Sequence, residues 1–271
     1  MYHTFTTLRH SVEKLLEAEH FLAQMLKSEG LYFQFELNAF LSASRSITFV
    51  LQKTLAHVPD FSVWYKQQQA RMKTDAAMRF FIELRNISQK QGPISFVGGA
   101  LLGGGWTYRF VGLEQAIPEE LVGKDIAVCC AEHLIKLAKL LAECAHDLPF
   151  HSCPARAFTE EGMVALGYTQ EDVETALGLP QGYTDVGNFP VAEKLRFLSR
   201  EIEPLDIESI KRVADGNLRG NDIELSFPCT SGTDLVDDVA VEMRARDGTT
   251  PDLRNAFLVA IAKRIEKSQS S

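Results

Sequence analysis

The chain has 271 residues, of which 45% are hydrophobic and 24% are charged, and its formal net charge is −8. These values are typical of a globular protein that buries a substantial core. The acidic balance excludes a general polyanion binder, so any contact with nucleic acid must be local.

The sequence gives no sign of a signal peptide or a membrane span. Its first residues do not combine a basic start with an apolar run and a small-residue cleavage site. The longest apolar tract, residues 129–145, is interrupted by two lysines and two glutamates. There are five cysteines, and three of them fall inside a helical pattern, where we expect buried thiols. We therefore expect a reduced, cytoplasmic protein.

Apolar residues recur at three- and four-residue steps in the first 146 residues. This spacing predicts long helices over residues 8–27, 31–57, 74–92 and 118–145, with a short helical piece over 61–69. Thr74 or Asp75 can cap the third long helix, and Pro118 can occupy the first turn of the fourth. Four long amphipathic helices with short links predict an antiparallel bundle.

A glycine-rich segment interrupts the helical pattern before the fourth long helix. Two β-prone runs, residues 94–97 and 106–111, flank the glycines of "GGALLGGGW". The segment lacks the Gly-Lys-Ser/Thr ending of a phosphate-binding loop, and "TYRFV" follows it rather than a helix. We interpret it as an inserted β-hairpin.

The remainder of the chain consists of shorter segments. Thr169 and Asp172 predict the start of a short helix, and the pattern further predicts helices over 190–200, 207–214 and 251–267 and a strand over 223–227. Residues 147–271 carry 13 basic and 22 acidic side chains, a net of −9, whereas residues 1–146 carry 15 and 14, a net of +1. We therefore predict a mainly α protein with two domains. Residues 1–149 form the helical bundle, and residues 150–271 form a smaller, acidic and mostly helical region of unknown role.

The third long helix carries the main candidate site. Its segment "RFFIELRNISQKQG", residues 79–92, places Arg85 beside Asn86 among residues that should pack. Between residues 66 and 90 there are six basic side chains against two acidic ones, directly after Trp64 and Tyr65. Phosphate contacts and base stacking use such groups. The alternative is a solvated helix flank whose arginine stems cover apolar surface.

This helix and the preceding one, with "ELNAFLSASRSITFVL" over residues 36–51, resemble the HEPN domains (higher eukaryotes and prokaryotes nucleotide-binding). The resemblance covers roughly residues 5–146. It implies a dimeric four-helix bundle and a metal-independent ribonuclease in a toxin or anti-phage setting. The family signature is an arginine, a polar residue, a few arbitrary positions and a histidine. Arg85 and Asn86 match the first two positions, but Lys90, Gln91 and Gly92 occupy the candidate histidine positions.

The missing histidine affects the expected chemistry. RNA cleavage by the 2′-hydroxyl needs a group that exchanges a proton near neutral pH, and histidine does so with a pKa of about 6.5. The resemblance therefore implies RNA or nucleotide binding with at most weak cleavage. Arg85 would stabilise the phosphate, Asn86 would orient it, and Lys90 would replace the histidine. Arg45 and Arg79 are further candidate RNA contacts.

The other motifs predict no metal and no cofactor. The segment "CAHDLPFHSC" places Cys144, His146, His151 and Cys153 close together, but their spacing matches no common zinc pattern. The chain contains no dinucleotide fingerprint and no HExxH motif. The expected partners are a second copy of the chain and RNA or a nucleotide. The alternative function is a non-enzymatic dimeric scaffold whose acidic C-terminal region binds a protein partner.

Overall fold

The structure is a computed structural model that describes residues 8–100, 106–111, 116–185, 187–219, 238–239, 241–242 and 253–269. It is mainly α-helical, with a two-stranded hairpin inserted after the N-terminal helices and a helical C-terminal region, which confirms the predicted fold class. The helices are α1 (Arg9–Met25), α2 (Gly30–Thr54), α3 (Phe61–Thr74), α4 (Ala76–Lys90), α5 (Ile126–Asp147), α6 (Pro149–Ser152), α7 (Pro154–Ala157), α8 (Glu160–Leu166), α9 (Gln170–Ala176), α10 (Val191–Leu198), α11 (Ile207–Ala214) and α12 (Leu253–Gln269). Among the described residues, no helix is both long and apolar enough to cross a membrane.

Two of the predicted helix starts are capped as the sequence indicates. The Asp75 side chain accepts a hydrogen bond from the Met78 backbone N–H at 2.9 Å and caps α4. Thr169 and Asp172 form a capping box at the start of α9, in which each side chain accepts from the backbone N–H of the other residue. Such caps satisfy backbone donors that have no partner inside the helix.

The predicted start of the fourth long helix at Pro118 is wrong. Pro118 leads into a short 3-10 helix, Glu119–Leu121, and α5 begins eight residues later at Ile126. The reason is Asp125, whose carboxylate accepts a hydrogen bond from the Ala127 N–H at 2.7 Å. The same side chain accepts from the Tyr108 N–H at 2.9 Å, so it ties the helix start to the hairpin.

The hairpin pairs β1 (Phe96–Ala100) with β2 (Trp106–Phe110) in antiparallel register. The first strand begins two residues later than predicted and includes glycines that the sequence assigned to the turn. Gly98 faces Tyr108 across the pair, and a Cβ at Gly98 would come within 2.5 Å of the Tyr108 ring. The Tyr108 ring stacks on Phe33 with centroids 3.8 Å apart. A residue without a side chain is therefore needed at position 98.

The chain forms two compact units, and each draws on separate parts of the sequence. The first unit contains Met1–Glu17, Ala43–Arg71 and Leu134–Asn217, and the second contains Ala18–Ser42, Met72–His133 and Leu218–Ser271. The boundary between domains at residue 149 stays a prediction. The predicted strand over residues 223–227 lies outside the described residues.

Each unit has buried apolar clusters of its own. In the first unit, helices α7 to α10 pack around Phe158, Met163, Val173, Leu195 and Leu198. In the second unit, one apolar cluster joins the hairpin to α12 and comprises Val97, Val111, Val239, Ala256 and Ala260. A separate aromatic group packs on α4 and includes Phe40, Phe80, Phe81 and Phe110.

Candidate functional site

Helix α4 holds the main candidate site and is fixed at both its start and its buried face. Besides the Asp75 cap, the Glu120 carboxylate accepts a hydrogen bond from the Ala77 N–H at 3.1 Å. Two carboxylates therefore lie at the positive end of the helix dipole, where negative charge is favourable. Ala77, Phe80, Phe81 and Leu84 are buried along one face. The position of Arg85 along the helix axis is therefore well defined.

Phe81, one turn before Arg85, anchors this part of α4 inside the second unit. Its ring stacks on the buried imidazole of His133, with centroids 4.1 Å apart and planes within 6° of each other. It also meets Phe40 edge to face at 6.4 Å. Residues four apart on a helix are neighbours, so the Arg85 side chain emerges beside this aromatic contact.

Arg85 is half-buried and incompletely satisfied. Its Nε is sealed from water and has no hydrogen-bond partner in the described part of the chain. Neither Glu36 nor Glu83 forms an ion pair with it among those residues. The two terminal nitrogens are not sealed in this way, so they can reach an anion from the solvent side. A guanidinium with five donors in a fixed fork is suited to phosphate or carboxylate.

The residues around Arg85 differ in exposure. Asn86 is half-buried, and Lys90, in the last turn of α4, is exposed. Asn86 and Lys90 are four residues apart and share one face, while Arg85 and Gln89 share the next. The Gln89 side chain donates to Ser42 Oγ on α2 at 3.2 Å, which fixes the end of α4 to its neighbour. The arrangement can bind an anion, but water solvates the Lys90 ammonium group.

The two remaining candidate RNA contacts are exposed arginines. Arg79 lies on α4 and Arg45 on α2. The Arg45 guanidinium donates to the Thr48 hydroxyl of its own helix at 2.8 Å. Arg45 belongs to the first unit, whereas Arg79, Arg85, Asn86 and Lys90 belong to the second. RNA contacts by Arg45 and Arg79 stay predictions.

The Cys and His segment at the end of α5 has the chemistry of a packed helix end. Cys144 is fully buried, and burial raises the pKa of its thiol to about 12, so the thiolate that a metal needs is disfavoured. Asp147 accepts a hydrogen bond from Trp64 Nε1 at 2.8 Å, and hydrogen bonds from His146 and Trp64 lower the pKa of Asp147. Over the described ranges, no three His, Cys, Asp or Glu side chains are placed as metal ligands would be.

The structure also brings together a set of residues that the sequence analysis did not select. The loop after α9 and the exposed face of α10 line a cleft of about 720 Å³ in the first unit. A periodic signal was present in the sequence, because residues 193, 196, 197 and 200 recur at helical spacing. The loop residues have no periodicity, so sequence reasoning could not place them on the same cleft. The lining residues are Tyr183, Thr184, Phe189, Glu193, Lys194, Arg196, Phe197 and Arg200.

Comparison with known proteins gives one match. Residues 10–100 match the model of a family described as bacteriophage lambda protein ea47. The match covers 91 of the 271 residues and includes α1 without its first residue, α2 to α4 and β1. No curated protein and no solved structure matches the chain.

This match corrects the resemblance to HEPN domains. Both segments on which that resemblance was based, residues 36–51 and 79–92, lie inside the range that matches the phage family. A two-residue agreement at Arg85 and Asn86 was too short to identify a family, and the histidine that completes the signature is absent. The HEPN assignment is therefore wrong, and the ribonuclease activity that it implied loses its basis.

Proposed function

We propose that the protein binds RNA without cleaving it and that Arg85 contacts a phosphate group. This proposal rests on the environment of Arg85. Its guanidinium is half-buried, and its Nε is sealed from water and has no acceptor among the described residues. Leaving a charge partly buried without a partner costs free energy, often several kcal/mol when burial is complete. A phosphate at the two terminal nitrogens, which are not sealed, would compensate the charge of this guanidinium without reaching Nε.

The charge around Arg85 supports RNA as the source of that phosphate. Residues 72–90, the part of the basic segment that lies in the second unit, carry four basic and two acidic side chains, a surplus of two, in a protein whose net charge is −8. The local surplus favours an anion at this part of the second unit, while the overall charge disfavours binding elsewhere. Arginine is preferred over lysine at such positions because its planar fork can bind two phosphate oxygens at once.

The chemistry of the neighbouring side chains supports binding rather than cleavage. Cleavage needs a proton acceptor close to neutral pH. Asn86 cannot ionise, and Lys90 is exposed, so its ammonium group remains hydrated. Helix α4 contains no histidine. A cytoplasmic setting belongs to the same proposal, because the buried cysteines at 129, 130, 144 and 153 are free thiols, as expected of a reducing compartment.

A titration of a short, labelled single-stranded RNA tests the proposal. We expect Arg85→Ala to weaken binding by about tenfold, the value of one charge-assisted contact of 1–2 kcal/mol. Arg71→Ala is the matched control, because the Arg71 guanidinium is already bound by Glu143 at 2.6 and 3.2 Å. It should change affinity by less than about twofold. Equal affinities of wild type and Arg85→Ala would overturn the proposal, and so would RNA that is shortened on a denaturing gel.

A second candidate function, a dimeric scaffold, is favoured by a separate observation. Leu31, Tyr32 and Phe35 at the start of α2 are 66%, 71% and 53% exposed, and the rings of Tyr32 and Phe35 meet edge to face at 6.2 Å. Grouped exposed apolar side chains are typical of protein interfaces. We infer that a second copy of the chain covers this patch. Recruitment of a protein partner by the acidic C-terminal region stays a prediction.

Sedimentation velocity tests the scaffold. We expect a dimer for the wild type and a monomer for the double variant Tyr32→Ser/Phe35→Ser, because two apolar anchors are lost. Phe49→Ser is the control, since Phe49 is 61% exposed on the same helix but lies outside the patch. A wild-type protein that sediments as a monomer would contradict this candidate and leave the RNA proposal intact.

A further inference from the structure

The cleft beside α10 combines exposed aromatic rings with two arginine side chains. Tyr183 and Phe197 are each 44% exposed, and Phe189 is 58% exposed. The rings of Tyr183 and Phe197 are stacked, with centroids 6.3 Å apart and planes 29° apart. Such ring faces bind planar groups, and stacking of a nucleobase on an aromatic side chain is tolerant of base identity.

The charged residues of the cleft lie along one face of α10 and the turn that follows. Glu193, Arg196, Phe197 and Arg200 are spaced at three- and four-residue steps, so they point to the same side. Arg196 and Arg200 form no ion pair within the described chain. Glu193 is the one acidic side chain among the lining residues. The cleft therefore offers two free guanidinium groups next to the ring faces.

The charge of Lys194 is already matched. Its ammonium group donates to the Asp185 carboxylate at 2.8 Å, and its side chain is only 14% exposed. Lys194 therefore supplies structure to the loop rather than a free cation. This leaves Arg196 and Arg200 as the groups that can meet an anion.

A buried carboxylate holds Tyr183 in the cleft. Glu174 on α9 is fully buried, and it accepts hydrogen bonds from the backbone N–H groups of Gly182 at 2.6 Å and Thr184 at 2.8 Å. These two residues flank Tyr183 in the chain. Leu195 and Leu198 anchor the other wall in the apolar cluster beneath α10. Both walls are thus organised before any ligand arrives, which lowers the entropy cost of binding.

We propose that this cleft is a nucleotide-binding site, in which a base stacks on Tyr183 and Phe197 and its phosphate binds Arg196 and Arg200. Its volume of about 720 Å³ is ample for a nucleotide, since small-molecule sites commonly span about 300–1,000 Å³. An acidic peptide would satisfy the arginines, but flat, stacked rings with exposed faces favour a planar base. The site uses residues of the first unit alone and does not depend on Arg85.

The test is a calorimetric titration of the full chain carrying Arg85→Ala, so that binding at the first candidate site does not contribute. The probe is adenosine 5′-monophosphate. Phe197→Ala and Arg200→Gln should each weaken its binding by about fivefold or more, as expected for one stacked base or one phosphate contact. Glu193→Gln should strengthen binding, because it removes a negative charge from the phosphate side. Lys211→Gln is the matched control, because Lys211 is exposed on α11 and does not line the cleft, and it should change affinity by less than about twofold.

Titrations with related ligands show whether the cleft recognises the base, the phosphate or a longer single strand. Adenosine and inorganic phosphate should each bind more weakly than the monophosphate, and a five-residue oligoadenylate that binds more tightly would place the site on a single strand rather than on a free nucleotide. The proposal fails if the monophosphate does not bind, if Phe197→Ala leaves its affinity unchanged, or if an acidic aromatic peptide binds and the nucleotides do not. Should Phe197→Ala unfold the protein, Arg200→Gln and Glu193→Gln, both at exposed positions, still decide the matter.

Discussion

Arg85 and Glu174 are ionisable side chains with polar atoms that water does not reach, but their surroundings differ. Glu174 is fully buried, and hydrogen bonds from Gln170, Gly182 and Thr184 reach its carboxylate. Arg85 is half-buried, and its Nε has no acceptor among the residues that the structure describes. Buried charges are normally paired or hydrogen-bonded, so Glu174 needs no explanation beyond the fold. Arg85 lacks such a partner, and the proposed phosphate at its terminal nitrogens would compensate its charge.

Replacement of Arg85 by an apolar side chain should therefore separate stability from binding. We expect Arg85→Met to leave the free energy of unfolding unchanged or to raise it by up to about 1 kcal/mol, because an unsatisfied partly buried charge is removed. The same variant should lose RNA binding. Chemical denaturation without RNA measures the first effect, and the RNA titration measures the second.

Leu84→Ala is the neighbouring control for that experiment. Leu84 is fully buried, so its truncation should cost about 2–5 kcal/mol. If Arg85→Met destabilised the protein by more than about 1 kcal/mol, Arg85 would hold the native structure together and its role would be structural.

Among the secondary-structure elements, those with local signals could be predicted from the sequence. Asp75 and Thr169 cap α4 and α9 as expected, because a side chain three residues from its backbone partner is visible in the sequence. The start of α5 was missed because Asp125 is held by β2, which is distant in the chain. The lack of an acceptor for Arg85 Nε could not be predicted either. It depends on which acceptors the fold places nearby, and this is decided by tertiary packing.

The α9–α10 connection should show a pH dependence that originates at Glu174. Burial would raise the pKa of Glu174, but hydrogen bonds from Thr184, Gly182 and Gln170 outweigh it and the pKa is lowered. A lowered pKa stabilises the folded protein above the usual glutamate value of about 4.3. That stabilisation is lost as the pH falls through the lower folded value. In urea unfolding, we therefore expect the contribution of Glu174 to the free energy of unfolding to be constant at pH 6–7 and to decline below about pH 4.

Glu174→Gln should remove this contribution. At pH 7 it should cost about 1–3 kcal/mol, because a charged acceptor of two backbone N–H groups becomes a neutral amide. The gap between wild type and variant should narrow as the pH falls. Glu171→Gln, on the exposed side of α9, is the control and should stay close to wild type at every pH. A gap that is constant from pH 7 to pH 3 would contradict this assignment.

Across the whole molecule, charge is distributed unevenly, and the excess of basic side chains is confined to one segment. The chain is acidic overall, with a net charge of −8, yet the region from residue 66 to residue 90 carries a surplus of four basic side chains. Fold class could be predicted from helical periodicity, because periodicity reports the face that each helix buries. The resemblance to HEPN domains was wrong, because the short Arg85–Asn86 agreement had no support from the rest of the chain and residues 10–100 match the model of the ea47 family instead.

The most direct test of RNA binding at Arg85 is the salt dependence of affinity for a single-stranded RNA. Each phosphate that a side chain neutralises contributes about −0.7 to the slope of log affinity against log salt for single strands. We predict that the slope of Arg85→Ala is shallower than that of wild type by about 0.7, while Arg71→Ala keeps the wild-type slope. Parallel lines for wild type and Arg85→Ala would show that Arg85 contacts no phosphate, and they would contradict the account.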